Sequence, residues 1–577
     1  MKAQQWIGPL LAVVLMAAPA VKAADTPGFL LLAPDRGFLG NEEVREVFTA
    51  WRQAVPHASL AFATAARTAE TLHRALARLA DSTSVVVLPL FLSVHHALYQ
   101  KARRVLDSFG HPALYFAQPF GASYLAEEVL FDRVEALSAN PDHERLILVT
   151  AGADSETAEA GLREDLQPLL TRAVRKYRLG RGGEMVTLYD WSAPARIREA
   201  ALDRAVERIK DAAARTERVL VVPFNLGRRL TTMMSDWHQI RKKIDGLRGV
   251  IFDGKGVLPH PNVRYWLQQA STCSLPLTRR DIGVVLVPHG ADYNWNEAMR
   301  QGIAPLRDAY IIEEAFSMVD PVIIARAVRR LERRGVRAAV LVRIFSLASS
   351  FKEKAEYVLG LRREYQGFPP RVRSGLLFHT LGGVETSPHL ARALIDRIRE
   401  ISRHPEQETV ILLAHGTDDE SRNAHWMRNL KTLADYIRQH SGMRFRAVRY
   451  YTWREDWPEK RKKAVAVIRS MVEEASRDGG IALIVPERMA GRGPGPELLQ
   501  GLNYRYATGF APHPEFTKWL RATIERGIAH LTGSRALARV TGPCTSTFTT
   551  HTAKAAAAAG SSGERPVSPL PHEVRRP

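Results

Sequence analysis

Cysteine is nearly absent from this 577-residue sequence, which contains only Cys273 and Cys544. No CxxC pattern occurs, so a zinc ribbon and a thioredoxin-like redox motif are excluded. Cys544 lies in a C-terminal segment that we expect to be disordered, and the sequence therefore predicts no structural disulfide.

Long apolar runs are missing beyond the N-terminus. The first residues carry Lys2, an uncharged apolar stretch over residues 6–21 and small residues before Ala24, which is the layout of a cleavable secretory signal. Roughly 16 apolar residues, interrupted by two prolines, fall short of the about 20 that a membrane span needs, although an uncleaved anchor is the alternative. We expect a signal peptide over residues 1–23 and an exported, periplasmic protein without stable membrane insertion after cleavage.

Acidic residues are outnumbered, with 61 Asp and Glu against 81 Lys and Arg, which gives a formal net charge of +20. That sign suits an acidic partner such as nucleic acid, anionic lipid or a polycarboxylate ligand. The arginines are spread along predicted helices such as residues 325–334 and are not gathered into one basic arm. We therefore interpret them as solvated helix faces and expect no nucleic-acid partner.

An internal repeat sets the domain organisation, because the chain is too long for a single core. Residues 129–156 align without gaps with residues 393–420, residues 85–106 with 339–360, and residues 257–267 with 510–520. The order is the same and the shift is nearly constant, which indicates a duplication of about 254 residues. We predict one bilobal domain over residues 24–278 and a second over residues 279–533.

The fold class follows from the apolar pattern within each copy. Short continuous apolar runs, typical of strands buried on both faces of a parallel sheet, alternate with segments of helical periodicity. The candidate strands are residues 29–33, 85–92, 146–150, 219–224, 284–287, 338–344, 410–414 and 481–485. We predict an α/β protein of four lobes, each with a parallel sheet flanked by helices, followed by a disordered low-complexity tail over residues 534–577.

Polar residues just past the strand ends are the candidates for function, because ligands of open parallel sheets bind there. His289-Gly290 follows one predicted strand, with Asp292 and an Asn-Glu pair at residues 296–297. His415-Gly416 follows another, with Asp418 and Asn423 behind it. In the first copy, His95 and His96 follow the run PLFLS.

These strand ends resemble the class II tetrapyrrole chelatases, a family that includes sirohydrochlorin cobaltochelatases and ferrochelatases. The resemblance covers most of residues 25–533 and is strongest at residues 88–96, 284–297 and 410–423. It implies a lyase-type chelatase of cobalamin biosynthesis that inserts a divalent metal, Co²⁺ or else Fe²⁺ or Ni²⁺, into a tetrapyrrole between two lobes.

The resemblance also implies the site residues. His289 and His415 would bind the metal and take up the pyrrole protons, and His95 and His96 would be further metal ligands. A neutral imidazole suits both tasks, because it binds these metals well and accepts a proton near neutral pH. The family also uses a glutamate, for which Glu297 is a candidate.

The sequence departs from the family, because no lobe keeps a histidine at both strand ends. The first lobe has Asp35 where the first histidine belongs, and the third has Ser349 and Ser350 where the second belongs. The second lobe has Ala151 and Asn225, and so carries neither histidine.

Two interpretations therefore stay open. In one, His289 and His415 meet across a shared cleft as a two-histidine site, with Glu487 as a possible third member. In the other, the copies have lost turnover, and the protein is an exported carrier that binds metal or tetrapyrrole.

Overall fold

A computed structural model describes residues 27–110, 113–226, 236–533 and 548–550. Its strands form four sheets, and we name the units around them unit 1 to unit 4 in chain order. The first half of the chain, residues 27–278, holds units 1 and 2, and the second half, residues 279–533, holds units 3 and 4. The predicted signal peptide lies outside the described residues.

The described residues of the first half form eight strands and eight α-helices. Unit 1 contains β1 (Gly28–Pro34), α1 (Gly37–Arg52), β2 (Ala58–Ala63), α2 (Thr68–Ala77), β3 (Val85–Pro89), α3 (Ala97–Ser108), β4 (Leu114–Ala117) and α4 (Tyr124–Leu137). Unit 2 contains β5 (Glu144–Ala153), α5 (Glu156–Tyr177), β6 (Gly183–Tyr189), α6 (Ala195–Arg215), β7 (Arg218–Pro223), α7 (Asp236–Ile244), β8 (Val250–Ile251) and α8 (Pro261–Ser274).

The second half follows the same pattern. Unit 3 contains β9 (Ile282–Pro288), α9 (Tyr293–Ile303), β10 (Ile311–Glu314), α10 (Pro321–Arg333), β11 (Ala338–Ile344), α11 (Lys352–Val358), β12 (Leu377–Gly382) and α12 (Pro388–Ile401). Unit 4 contains β13 (Glu408–Ala414), α13 (Glu420–His440), β14 (Ala447–Thr452), α14 (Pro458–Ala475), β15 (Ile481–Glu487), α15 (Gly495–Leu498), β16 (Tyr504–Tyr506) and α16 (Pro514–Thr532).

The four sheets share one strand order, in which the second strand of the unit is followed by the first, the third and the fourth. In unit 3, for example, the order is β10-β9-β11-β12 with parallel pairing throughout. The predicted α/β class with parallel sheets flanked by helices is confirmed. The strand order therefore reverses between the first and third strands of each unit, and a crevice is expected there at the carboxyl ends of the strands.

Units pack in pairs around shared cores. One cluster of buried side chains joins the sheets of units 3 and 4, including Val284 and Val410, and another joins units 1 and 2, including Phe29 and Leu146. The central strands β1, β9 and β13 are buried along their whole length. Their continuous apolar sequences are therefore explained by burial on both faces.

In units 2 and 4, the first strand begins with a buried glutamate, and the two glutamates have equivalent hydrogen-bond partners. Glu144 accepts hydrogen bonds from the Ser138 hydroxyl and from two backbone N–H groups, and Arg218 lies 2.9 Å from it. Glu408 accepts equivalent bonds from Ser402 and two backbone N–H groups, with Arg505 at 2.8 Å. Neither carboxylate is exposed, so each depends on these partners for its charge.

The two halves are joined by a buried ionic network. Arg371, in the segment before β12, lies 2.6 Å from Glu128 and 3.0 Å from Glu127 on α4. The Tyr124 hydroxyl donates to the Val372 carbonyl oxygen over 2.9 Å. Because these groups are buried, the contact between the halves depends on every charge having its partner.

Two findings concern the cysteines and the tail. Cys273, near the end of α8, is disulfide-bonded, so the prediction of no disulfide is wrong; the other cysteine of the sequence, Cys544, lies outside the described residues. Within the segment expected to be disordered, β17 (Phe548–Thr550) pairs antiparallel with β4. Composition could not show either contact, because both depend on the path of the chain in space. No described helix combines the length and apolarity of a membrane span.

Candidate functional site

His289 and His415 occupy equivalent turns at the ends of β9 and β13, the first strands of units 3 and 4. His289 Nδ1 lies 2.7 Å from the Gly290 carbonyl oxygen, and His415 Nδ1 lies 2.9 Å from that of Gly416. The glycines have φ angles of +80° and +78°, a backbone conformation that glycine adopts at little cost. The two His-Gly pairs therefore build the same turn in the two units.

This turn sets the tautomer of each ring. A hydrogen bond to a carbonyl oxygen requires Nδ1 to carry the proton, which leaves Nε2 with a lone pair when the ring is neutral. A backbone carbonyl that fixes the other ring nitrogen is the usual support of a metal-binding imidazole. Nε2 of each ring is thus the atom able to bind a metal or accept a proton.

The exposed ring of His289 lies beside two aromatic side chains. Its edge contacts Trp295 and Phe345, with ring centroids 6.3 and 6.2 Å away. Asp292 caps α9 by accepting from the Trp295 N–H over 2.8 Å, which holds the helix start beside the histidine. Tyr293, the first residue of α9, is 74% exposed, so this surface offers apolar area to solvent.

The ring of His415 contacts a carboxylate. Its Nε2 lies 3.3 Å from Asp456 Oδ2, and its ring stands edge-on to Trp457 at 6.0 Å. Asp419 caps α13 by accepting from the Arg422 N–H. The two rings therefore have different neighbours: His289 contacts aromatic side chains, whereas His415 contacts one aromatic side chain and one carboxylate.

The strand ends of units 3 and 4 meet at a junction of polar side chains. Glu487 ends β15 and is 3% exposed, and the Ser346 side chain of unit 3 hydrogen-bonds with it. Glu385, which follows β12 in unit 3, accepts from His425 Nε2 on α13 over 2.9 Å. This junction includes the glutamate that the sequence proposed as a third member of the site, together with two groups that it did not.

Burial favours a higher pKa for both carboxyls of the junction, but hydrogen bonds offset it in only one of them. It raises the pKa of Glu487 to about 8, with the negative charge of Glu385 adding to the effect. Burial also favours a higher pKa for Glu385, but hydrogen bonds from His425, the Ala348 N–H and Asn429 outweigh it and lower the pKa below its ordinary value. The pair therefore combines a protonated acid with an ionised one near neutral pH.

Glu297, the glutamate proposed from the sequence, lies elsewhere. It pairs with Arg300 on its own helix α9 at 2.6 Å, and both side chains are partly exposed. The buried carboxyl at the strand ends is instead that of Glu487. Sequence reasoning could place a glutamate near the site but could not rank the candidates, because burial depends on the packing of unit 3 against unit 4.

In the first half, His96 is engaged by protein atoms on both ring nitrogens. Nδ1 accepts from the Leu98 N–H and so caps α3, while Nε2 lies 3.1 Å from Arg36 Nη2. The ring also packs against Gly152 of unit 2, where a Cβ atom would lie 2.3 Å from Cδ2. A metal-binding role for His96 would require Arg36 to move away.

His95 points to a helix of unit 2. A Cβ atom at Gly161 of α5 would lie 2.3 Å from its Cγ, so the ring rests on the glycine surface of that helix. Its backbone N–H donates to the Ser93 hydroxyl over 2.9 Å. The structure thus places His95 and His96 in the first half and His289 and His415 in the second, and a metal role of the first pair stays a prediction.

Two cavities of the described residues lie away from His289 and His415. One of about 870 Å³ is lined by Leu92, Gln118 and Arg172, and one of about 710 Å³ by Tyr124 and His379. Within the described part of the chain, no group of three or more His, Cys, Asp or Glu side chains is arranged to hold a metal ion.

Fold and site together define an α/β protein of four parallel-sheet units whose second half carries two strand-end histidines in matching turns. No protein-family model matches the chain, and no curated protein does. Among solved structures, one match is "SirB from Bacillus subtilis with Fe3+", at 13% identity, over 44% of this chain and 96% of that chain, with a TM-score of 0.33. A likeness of that size assigns neither a family nor an activity to this chain.

Proposed function

We propose that the second half of the chain is a tetrapyrrole chelatase unit that inserts a divalent metal into a macrocycle of the sirohydrochlorin type. Co²⁺ is the metal we put first, with Fe²⁺ and Ni²⁺ as alternatives. The observation that carries the proposal is the matching pair of turns at His289 and His415, one in each of two units that share a core. The chelatase motifs in the sequence supply the reaction class.

The chemistry requires a metal-binding group and a route for protons. Each divalent ion that enters the ring replaces two N–H protons, and nothing is oxidised or reduced. Imidazole nitrogens with a free lone pair bind cobalt, iron and nickel, and His289 Nε2 and His415 Nε2 have the tautomer for it. Few protein ligands suit a metal that must pass to a substrate, because a closed ligand set would retain it.

The surface around His289 supports a flat, partly apolar ligand. Trp295 and Phe345 stand beside the imidazole, and Tyr293 is exposed at the start of α9. The surplus of Lys and Arg over Asp and Glu is compatible with a ligand that carries several carboxylates. Both features favour a tetrapyrrole with carboxylate side chains over a neutral ligand.

We further propose that the chain arose by tandem duplication and that its first half no longer inserts metal. The two halves share strand order, and the buried glutamates Glu144 and Glu408 have equivalent partners. Asp35 stands where the second half has His289, and Arg36 approaches His96 at the strand ends. A guanidinium in that position opposes the binding of a cation by the same histidine.

A second candidate function is an exported carrier that binds metal or tetrapyrrole without turnover. The signal-like N-terminus favours it, and the disulfide at Cys273 suits an oxidising compartment such as the periplasm. Asp456 beside His415 Nε2 would also stabilise a retained metal–imidazole pair or a protonated ring.

To test the proposal, the purified full-length protein is mixed with sirohydrochlorin and Co²⁺, and the absorbance of the macrocycle is followed. Metal binding is measured separately by calorimetry. We expect multiple turnovers, and their loss in the His289→Ala, His415→Ala double variant. The control is His440→Ala, which removes an exposed histidine on α13 whose ring stacks on Tyr436 of the same helix. Stoichiometric retention of the ligand without product supports the carrier, and unchanged metal affinity in the double variant rejects both functions.

A further inference from the structure

Two cavities adjoin each other where the second half of the chain meets the first. The larger, of about 870 Å³, is lined by residues that follow β3 and β4 and by residues of α3 and α5. The smaller, of about 710 Å³, lies between α8 of the first half and α11 and β12 of the second. The two share four lining residues, Gln118, Pro119, Ala122 and Arg363. Either volume lies in the range of sites for small organic ligands.

Glu127, a buried carboxylate of α4, belongs to an ionic network with an excess of positive charge. Three guanidiniums pair with it, those of Arg172, Arg363 and Arg371. Within the described residues, the connected network contains three carboxylates and four guanidiniums: Glu127, Glu128 and Asp132 against Arg172, Arg363, Arg371 and Arg373. One guanidinium is therefore in excess, and an anion that arrives beside it would stabilise it.

Arg363 is the guanidinium of this network with the weakest pairing. Its Nη1 lies 3.9 Å from Glu127 Oε2, whereas Arg371 Nη2 lies 3.0 Å from the same oxygen. Its Nη2 donates to the Ala122 carbonyl oxygen, and within the described residues it has no further ion pair or hydrogen bond. The Arg363 side chain is 44% exposed, so its remaining N–H groups are open to a ligand in either cavity.

Two further groups with free donors line the larger cavity. Arg172 binds Glu127 through Nε, and its Nη1 and Nη2 atoms make no hydrogen bond to the described residues. Gln118 follows β4 directly, and its exposed side-chain amide has no partner in that part of the chain either. The arginine fork and the amide N–H group are donors suited to the oxygens of carboxylates, sulfonates and phosphates.

The carboxylates of the larger cavity have partners other than these donors. Asp107 pairs with Arg103 at 3.2 Å, and Asp165 accepts a hydrogen bond from the Ser93 hydroxyl over 2.5 Å. Arg363 therefore keeps its free N–H groups for an incoming anion, although the charge of Asp165 acts against that anion.

Aromatic side chains form the apolar part of the lining. Phe116 of β4 and Tyr99 of α3 line the larger cavity, and Trp266 of α8 and Phe378 of β12 line the smaller. The Arg103 guanidinium covers the Phe116 ring at 3.7 Å. A small hydrated ion would leave these rings in water, so the lining favours a ligand with an apolar body.

We propose that the adjoining cavities form one binding site for an organic anion with an apolar body, whose charged group is bound by Arg363 together with Arg172 and Gln118. The ligand contacts both halves of the chain, because Arg363 belongs to the second half and the other two donors belong to the first. The site shares no residue with the turns of His289 and His415, so it does not depend on metal insertion.

The first measurement compares two fluorescent probes with the same aromatic body, anilinonaphthalene sulfonate and the uncharged N-phenylnaphthylamine. We expect the full-length wild-type protein to bind the sulfonate in a saturable way. Arg363→Met should weaken that binding about tenfold or more and change the binding of the uncharged probe little. Arg363→Lys should lie between the two, because it keeps the charge and loses the fork.

The control for this comparison is Arg329→Met, which removes an exposed arginine of α10 and should bind both probes as the wild type does. Equal affinity of the sulfonate for the wild type and for Arg363→Met overturns the proposal, and so does the absence of saturable binding to the wild type.

Two variants that leave Arg363 in place guard against a loss of folding. Ala122→Leu fills space that both cavities share and should weaken the binding of both probes. Asp165→Asn removes a negative charge from the lining and should strengthen the binding of the sulfonate alone. Thermal unfolding shows whether each variant is folded. Wild-type affinities in both variants place the probe elsewhere and overturn the proposal.

Hydrogen–deuterium exchange tests the position of the ligand. The bound sulfonate should slow the exchange of backbone amides in residues 118–124 and 359–363, which come from the two halves. Protection confined to residues 289–297 or 415–423 overturns the proposal. Competition by naphthoate and by naphthyl phosphate then distinguishes a carboxylate ligand from a phosphate ligand. Displacement of the probe by either compound supports the site, and displacement by neither overturns it.

Discussion

The ring of His96 in unit 1 packs against Gly152 in unit 2 so closely that a Cβ atom on residue 152 would lie 2.3 Å from Cδ2 of His96. Gly152 also has a φ of +124°, which side chains rarely adopt. The strand ends of units 1 and 2 are therefore in contact where the His96 ring rests on the backbone of Gly152.

This contact predicts that Gly152→Ala destabilises the protein by about 2–4 kcal/mol, because the methyl group needs both a displaced histidine and a strained backbone. Chemical denaturation followed by fluorescence measures the change. The control is Gly182→Ala, where φ is +70° and no atom lies within 4 Å of the added Cβ. It should cost about 1–2 kcal/mol from the backbone alone, and equal losses in the two variants would show that the ring is not confined.

The matching turns predict a contrast between the two halves in metal binding. His289→Ala should weaken Co²⁺ binding about tenfold or more, whereas His96→Ala should leave it nearly unchanged, because His96 Nε2 faces the Arg36 guanidinium. Isothermal titration of each purified variant measures the affinities. A loss of Co²⁺ affinity in His96→Ala as large as that in His289→Ala would contradict the proposal that the first half no longer inserts metal.

The buried glutamate at the start of unit 4 predicts a pH-dependent stability. Burial favours a higher pKa for Glu408, but hydrogen bonds from Ser402, two backbone N–H groups and Arg505 outweigh it and lower the pKa below its ordinary value of 4.5. A lowered folded-state pKa means that the stabilisation is complete above the ordinary value and is lost as the pH falls through the folded value.

We therefore expect Glu408→Gln to destabilise the protein by about 2–3 kcal/mol at pH 7 and by less as the pH falls below 4.5. Thermal unfolding at a series of pH values provides the comparison. Glu406→Gln, which changes an exposed carboxylate two residues earlier, is the matched control and should have little effect. A difference between Glu408→Gln and wild type that does not vary with pH would mean that the carboxylate is not the group titrating.

The ionic network between the halves predicts that Arg371→Met is costly. Removal of the guanidinium leaves Glu127 and Glu128 buried with fewer cations, and the free energy of unfolding should fall by about 3–5 kcal/mol. The exposed Arg329→Met on α10 should change it little.

A second variant separates charge from packing in this network. Arg371→Met combined with Glu128→Gln should recover part of the loss, because the buried Glu127 keeps Arg172 as its partner and Arg373 keeps Asp132. No recovery would show that the shape of Arg371, and not its charge, joins the halves.

The strands that the sequence revealed are the two central strands of each sheet. All eight predicted runs correspond to the first and third strands of a unit, which are covered on both faces and flanked by neighbours on both sides. The outer strands were not predicted. β8 has two residues, and four of the six residues of β14 are partly exposed, so neither presents the continuous apolar run that marks a buried strand.

The junction shows why the site was found only in part. The His-Gly pairs are local signals, because one turn is built from adjacent residues. Glu385 and His425 were missed, because they belong to different units and are 40 residues apart. Gly382-Gly383 was the one available signal, since two adjacent glycines after a strand indicate a close backbone approach.

The sequence by itself determined the parallel α/β class, the repeated order of elements and the turns at His289 and His415, because each depends on residues close together in the chain or on burial of continuous apolar runs. Only the tertiary structure decided which carboxyl is buried, that Arg36 faces His96, and that His425 of unit 4 binds Glu385 of unit 3. These relationships arise where units pack against one another, and the energy of a buried charge depends on atoms brought together from distant parts of the chain.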